Sequence, residues 1–134
     1  MRDAATRLES LGYILRSGGA SGADTAFSNG CKSKTIYRAA DATPASLKTV
    51  DVFHPAPHLL SSYIKRLHAR NALIILGHDL QSPVDFVLCW TPGGRVTGGT
   101  GQGLRIALHH KIPIVNMATP GWQSLLTSLV HPSN

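Results

Sequence analysis

The stretch Trp90-Thr91-Pro92-Gly93-Gly94-Arg95-Val96-Thr97-Gly98-Gly99-Thr100-Gly101-Gln102-Gly103 constrains the fold of this chain more than any other. It follows an apolar run, Phe86-Val87-Leu88-Cys89-Trp90, and leads into a helical pattern from Leu104 to His110. A buried strand that passes through a glycine-rich turn into a helix start suits a phosphate. Glycines let the backbone come close to a ligand, and the free N–H groups and dipole of the helix start favour an anion. Such a turn can also do no more than join a strand to a helix. Six glycines in the eleven residues from Gly93 to Gly103 favour a ligand here.

A second unit of the same kind lies upstream. Tyr13-Ile14-Leu15-Arg16 reads as a strand, and Ser17-Gly18-Gly19-Ala20-Ser21-Gly22-Ala23-Asp24 as its glycine turn. A helix then runs through about Asn29 and stops at Gly30. Before this unit, residues 3–11 predict a short helix ending at Gly12. After it, Thr35-Ile36-Tyr37-Arg38 predicts a short strand. Residues 40–56 contain Pro44 and Pro55, show no clear periodicity, and read as a long surface connection.

A helix is expected from about Pro57 to Leu76, with Leu60, Ile64 and Leu67 on its buried stripe and Lys65, Arg66 and His68 off it. Gly77 to Pro83 reads as a turn. The Phe86–Trp90 strand, a helix from about Thr100 to His110, a strand over Ile112–Asn116 and a helix over Trp122–Val130 complete the chain. Strands alternating with helices predict an α/β fold with a mostly parallel sheet covered by helices on both faces. Ligands of such sheets sit beyond the carboxyl ends of the strands. Both glycine turns run from strand to helix, so one shared pocket is expected at that edge.

The length of 134 residues predicts a single domain over 1–134. A net charge of +6 suits an anion, either nucleic acid or a phosphorylated small molecule. The thirteen Lys and Arg are scattered, with no basic tail and little aromatic interleaving, so charge alone points only weakly to nucleic acid. No apolar run approaches a membrane span and no signal-peptide pattern opens the chain, so a cytoplasmic protein is expected. Cys31 and Cys89 read as reduced thiols rather than a disulfide or a metal knuckle. Among the histidines, His54 and His58 flank prolines and His109-His110 end a helix, and no set has metal-ligand spacing. No Gly-x-Ser-x-Gly elbow is present. Neither a metal nor an organic cofactor is expected.

Several side chains sit where a ligand would. Asp24 either caps a helix or bonds a ribose hydroxyl. Arg70 is either a solvated helix charge or an anion contact. Arg95, between two Gly-Gly pairs, either clamps a phosphate or is a plain loop cation. Thr100 and Gln102 either bond base or phosphate or cap the helix they open. Trp90 either joins the core or stacks on a base, and Asn116 is a lower-ranked candidate on the same edge.

Two of these stretches resemble a known group. The first glycine turn looks like the Ser-Gly-Gly-x-x-Gly-x-Asp signature of the DNA-processing protein DprA. Leu67-His68-Ala69-Arg70-Asn71-Ala72 followed by Gly98-Gly99-Thr100-Gly101-Gln102 looks like the Arg-Lys and Gly-Gly-x-Gly-Thr segments of the Lonely Guy (LOG) phosphoribohydrolases. Both belong to the SLOG superfamily of Rossmann-like nucleotide-binding domains. The whole pattern, over roughly residues 8–117, most resembles the short stand-alone SLOG proteins of bacteriophages.

The resemblance implies a ligand site built from Ser17, Gly18, Gly19, Gly22, Asp24, Arg70, Asn71, Trp90, Thr91, Gly93, Gly94, Arg95, Gly98, Gly99, Thr100, Gly101 and Gln102. It implies binding of a phosphorylated nucleotide-derived molecule of the ADP-ribose or cyclic-nucleotide type, and sequestration of a host signal in the host cytoplasm. LOG-type hydrolysis and DprA-like single-stranded DNA binding are the alternatives. Against hydrolysis, the LOG glutamate position is Arg105, and a cation cannot stabilise an oxocarbenium-like centre. Asp24 is left as the one weak catalytic candidate. SLOG domains usually open with a strand, whereas this sequence starts at the helix that should follow it. Either the start lies further upstream, the gene is truncated, or a partner subunit of a homo-oligomer closes the gap. A sheet without that strand is expected to re-pair, with Ile14–Arg16 beside Val87–Trp90.

Overall fold

The computed structural model of the chain describes residues 2–18, 29–96 and 98–130. Its elements are α1 (Arg2–Ser10), β1 (Leu15–Ser17), β2 (Lys34–Ile36), α2 (Pro44–Phe53), α3 (Ser62–Leu76), β3 (Val87–Cys89), α4 (Gly98–His109), β4 (Ile114–Asn116) and α5 (Trp122–Val130). Single 3₁₀ turns cover Ala39–Asp41, Pro57–Leu59 and Pro92–Gly94. The chain is thus mixed α/β.

The described strands pair in parallel, but in two separate couples. In one, Leu15, Arg16 and Ser17 stand opposite Lys34, Thr35 and Ile36. In the other, Val87, Leu88 and Cys89 stand opposite Ile114, Val115 and Asn116. The expected re-pairing of Ile14–Arg16 with Val87–Trp90 does not occur; among the described residues the two couples stay separate two-stranded sheets. They are tied at their amino ends instead. Tyr13 packs edge-on to Phe86 with ring centroids 5.4 Å apart, and Arg16 Nη1 donates to Ser82 O at 2.7 Å.

Helix α1 ends as the sequence predicts. Gly12 takes φ +94°, its N–H bonds Glu9 O, and Tyr13 N–H reaches back to Leu8 O, a Schellman-type stop that a side chain at Gly12 would resist. The helix also holds the entry to β2, because Glu9 Oε2 accepts from both Lys32 N and Ser33 N at 2.6 Å.

The reading of 40–56 as a loop is overturned by α2. Thr43 caps it: Thr43 Oγ1 accepts from Ser46 N at 3.0 Å and Ser46 Oγ accepts from Thr43 N at 2.8 Å. Pro44 follows at the first helical position, where its missing N–H costs nothing. Ser46 and Val50 are the buried side of this helix, and α2 packs on α3 and α4. Pro44 therefore starts a helix rather than breaking a chain.

Helix α3 begins later than expected, at Ser62, with Ser61 Oγ accepting from Ile64 N at 3.2 Å. Its buried side is Ala69, Ala72, Leu73, Ile75 and Leu76, not the expected Leu60, Ile64 and Leu67; Ile64 is 38% exposed. The small and aliphatic residues of its second half meet α4 and the strands. Ala72, Ile75, Leu76, Ile106, Ala107 and Ile112 form one core cluster, with Phe53, Ile74, Leu80, Val84, Val87 and Ile114 packed on it. Among the described residues no helix is long and apolar enough to cross a membrane.

Candidate functional site

Between the two strand couples lies a cleft of about 1140 Å³. Residues 13–18 line one side, residues 83–90 the other, and α3 contributes Ile64, Leu67, His68, Arg70, Asn71, Ile74 and Ile75. In a parallel ladder the N–H and C=O of one residue point to the same side. Leu15 N and Ser17 O bond toward β2, and Val87 N and Cys89 O toward β4. The backbone groups of Arg16 and Leu88 therefore point away from their own couples. The cleft wall is mostly apolar, with Leu15, Leu67, Phe86 and Leu88, while its carboxyl end is polar, with Ser17, Gly18, Asn71, Thr100 and Gly103.

The carboxyl ends of the strands are firmly knotted. Arg70 Nη1 donates to Gly18 O at 2.9 Å and to Tyr37 O at 3.3 Å, and its Nε bonds Leu67 O at 3.2 Å. The guanidinium thereby joins α3 to β1 and to the residue just past β2. A Cβ on Gly18 would run into it, so the glycine serves close approach of a side chain. Asn116 does the same for the other couple. Its Nδ2 donates to Thr91 Oγ1 at 2.6 Å, and its Oδ1 accepts from Thr91 N at 3.3 Å and from Ala118 N at 3.0 Å. Thr91 is 2% exposed and held by this amide.

The central glycine stretch divides into two parts. Pro92–Gly94 form a 3₁₀ turn in which Gly93 and Gly94 take φ +64° and +71°. A Cβ on Gly94 would also stand 2.8 Å from Thr119 Oγ1. Arg95 is exposed and folds back, its Nε donating to Pro92 O at 3.3 Å. Gly98, Gly99, Thr100 and Gly101 form the first turn of α4, whose leading N–H groups have no carbonyl inside the helix.

Thr100 is exposed and lines the cleft. Gln102 is 0% exposed, and its Oε1 accepts from Arg105 Nη2 at 2.8 Å. Trp90 lines the cleft and is 48% exposed, so it is not a core residue. The sequence-predicted site thus resolves into a cleft group (Ser17, Gly18, Arg70, Asn71, Trp90, Thr100) and a group beside it (Thr91, Gly93, Gly94, Arg95, Gln102). Gly19, Gly22 and Asp24 lie outside the described residues.

Sequence reasoning missed three features. Among the described residues two carboxylates line the cleft, Glu9 and Asp85, both at its amino end, and Glu9 is taken by the Lys32 and Ser33 amides. His68 also lines the cleft, one helical turn before Asn71, and that spacing alone puts the two on one face. A third feature joins His68 to α2 and α4. The His54 ring stands 4.9 Å from the His68 ring, edge to face. Burial, the neighbouring histidine and the Arg105 and Arg70 charges hold the His68 imidazole below its ordinary value; burial and Arg105 do the same to His54. The His54–His68 contact is not legible in the sequence because His54 closes α2, in a stretch whose prolines point to a loop.

Both cysteines are free, and burial pushes the Cys89 thiol up to about 11. Among the described residues no group of three or more His, Cys, Asp or Glu is placed to hold a metal ion. In comparisons with known proteins, the chain matches no family model, no curated protein and no solved structure.

Proposed function

We propose that the chain is a Rossmann-like domain that binds a phosphorylated, nucleotide-derived small molecule in the cleft between β1 and β3. The observation that carries this reading is the cleft itself, apolar along its walls and polar at the carboxyl ends of two parallel strands. The mouth combines what such a ligand needs: a half-exposed indole, Trp90, for stacking on a base, and the glycine-opened start of α4, with Thr100, for a phosphate. Asn71 and Ser17 add polar edges for selecting the ligand. The volume of about 1140 Å³ is ample for a dinucleotide-sized molecule.

Binding without hydrolysis suits the charges around the cleft. The position that would carry a LOG-type glutamate holds Arg105, whose guanidinium bonds Gln102. The described carboxylates of the cleft sit at its amino end. Together with the resemblance to stand-alone phage SLOG proteins, this supports sequestration of an ADP-ribose-type or cyclic-nucleotide signal.

The test is native mass spectrometry of protein purified from cells, followed by heat release, and titration calorimetry with ADP-ribose and cyclic nucleotides. A stoichiometric, intact nucleotide is expected. Free base with ribose phosphate would replace the reading by hydrolysis. Retained DNA whose affinity falls steeply with salt would replace it by single-strand binding.

A further inference from the structure

At the junction of α2, α3 and α4, three buried side-chain nitrogens have no hydrogen-bond partner among the described residues: His68 Nδ1, Gln102 Nε2 and Arg105 Nε. Two are obligate donors, and the third donates in one of its tautomers and in imidazolium. Buried polar groups are nearly always satisfied, and an exception calls for an explanation.

The charge balance points the same way. Arg105 is half-buried with its Nε out of reach of solvent, and the guanidinium keeps its proton in proteins, so it cannot relieve this desolvation by becoming neutral. A buried charge is expected to be paired. Yet among the described residues the hydrogen-bond partner of Arg105 is the neutral Gln102 Oε1. The guanidinium also folds back over the opening turn of α4, where a Cβ on Gly101 would stand 3.3 Å from Arg105 Nη1. A helix start is the positive end of its dipole, the less favourable end for a cation.

The surroundings add one permanent cation, Arg70, and imidazoles in place of carboxylates. His54, His68 and Arg70 lie within electrostatic reach. Among the described residues the one ion pair nearby, Lys65 Nζ to Asp51 Oδ1 at 2.8 Å, is internally balanced. His54 Nδ1 accepts from Ala56 N at 3.0 Å, which puts the proton of its neutral form on Nε2 and fixes its ring against His68. Three unpartnered buried nitrogens, two of them on side chains joined by the Arg105–Gln102 bond and the third within electrostatic reach of Arg105, are complementary to one thing, an oxyanion with several acceptor oxygens.

We propose that Arg105, Gln102 and His68 form a site for a phosphoryl oxyanion, reached from the cleft past His68, which lines it. Arg105 supplies charge and its Nε–H, Gln102 its amide N–H, and His68 an imidazole whose protonated form the anion favours. His54 positions the His68 ring. The site stands on these contacts and does not require that a nucleotide be the natural ligand.

Inorganic phosphate is the probe, titrated into the full chain against chloride at matched ionic strength, with the melting temperature and the His68 ring protons in NMR as readouts. Phosphate is expected to raise the melting temperature and to move the His68 titration to higher pH. Arg105→Leu should weaken phosphate binding at least about tenfold. Gln102→Glu, nearly isosteric, places a carboxylate beside Arg105. It should raise the melting temperature of the phosphate-free protein and abolish its dependence on phosphate. This second variant keeps the test decisive if Arg105→Leu does not fold.

A wild-type protein indifferent to phosphate, or a phosphate response unchanged in Gln102→Glu, overturns the site. Displacement of phosphate by ribose 5-phosphate identifies an ester as the occupant, and its failure the free ion; either upholds the site. Nucleotide binding that survives Gln102→Glu unchanged would leave the cleft reading intact while this one fails. Phosphate binding without nucleotide binding would do the reverse.

Discussion

Arg70 and Gly18 meet at the carboxyl end of β1, where Nη1 donates to the glycine carbonyl at 2.9 Å while also reaching Tyr37 O at 3.3 Å. A single guanidinium thereby serves carbonyls at the ends of two neighbouring strands, and the space it occupies is the space a Gly18 side chain would need. Gly18→Ala should displace the guanidinium and cost about 1–3 kcal/mol, the range for charged hydrogen bonds lost from a part-buried site. Arg70→Ala should cost a similar amount. Because both changes break the same contact, the double variant should cost little more than Arg70→Ala alone. Urea unfolding of the four proteins measures this. Full additivity would mean that the two residues act separately.

Thr91→Val tests the other knot. Valine keeps the shape of threonine but removes Oγ1, leaving the buried Asn116 Nδ2 without its acceptor at 2.6 Å. A loss of about 1–3 kcal/mol is expected, with the affinity for any cleft ligand unchanged. An affinity loss at unchanged stability would make Thr91 a ligand contact instead of a strand clasp.

These two knots show where the sequence spoke clearly and where it did not. Apolar runs and glycine turns located the four described strands and every described helix but α2, because period and turn chemistry are local. Asn116 and Gln102 were legible as residues of interest, since a strand end or a glycine motif lay beside them, and Arg70 through the resemblance of its helix segment. Their bonding was not, because Arg70 and Gly18 are 52 residues apart and only the fold brings them together. Pro44 misled the reading of 40–56: a proline after threonine starts a helix as readily as it interrupts one. The stripe of α3 was misplaced for a related reason. Ile64 and Leu67 face a cleft and not the core, a distinction that periodicity alone does not make.

Trp90 gives the cleft a direct optical test. The indole lines the cleft at 48% exposure, so little packing is lost when it is removed. Trp90→Ala should change stability by less than about 1 kcal/mol, as for surface positions. It should weaken nucleotide binding by about 1–3 kcal/mol, the usual value of one base stacked on an aromatic ring. Calorimetry reads the affinity, and quenching of indole fluorescence in the wild type but not the variant reads the stacking. A nucleotide that binds Trp90→Ala as tightly as the wild type lies elsewhere.

The His54–His68 pair sets an acid limit on stability. Both imidazoles are held below the ordinary 6.5, His54 by burial and Arg105, and His68 by burial, His54, Arg105 and Arg70. As pH falls through 6.5 the unfolded chain takes up these protons before the folded one does, so stability declines, and the loss levels off once the folded imidazoles are also protonated. The groups near the pair are Asp51 and Lys65, which neutralise each other, then Arg70, Arg105 and His109, so the field opposing protonation is net positive. Asp79, whose carboxyl is lowered by the Gln81 amide and the Ser82 hydroxyl, adds a loss of its own only below 3.8, well clear of the histidine window. The urea midpoint should therefore be flat from about pH 8 to 7 and fall below 6.5. His68→Leu should flatten that fall, and saturating phosphate should shrink it, because an anion beside His68 lowers the cost of its charge. A midpoint that rises on acidification from pH 7 to 5 would show that the two imidazoles gain an unpaired carboxylate neighbour in solution, contrary to the net-positive surroundings on which the oxyanion site rests.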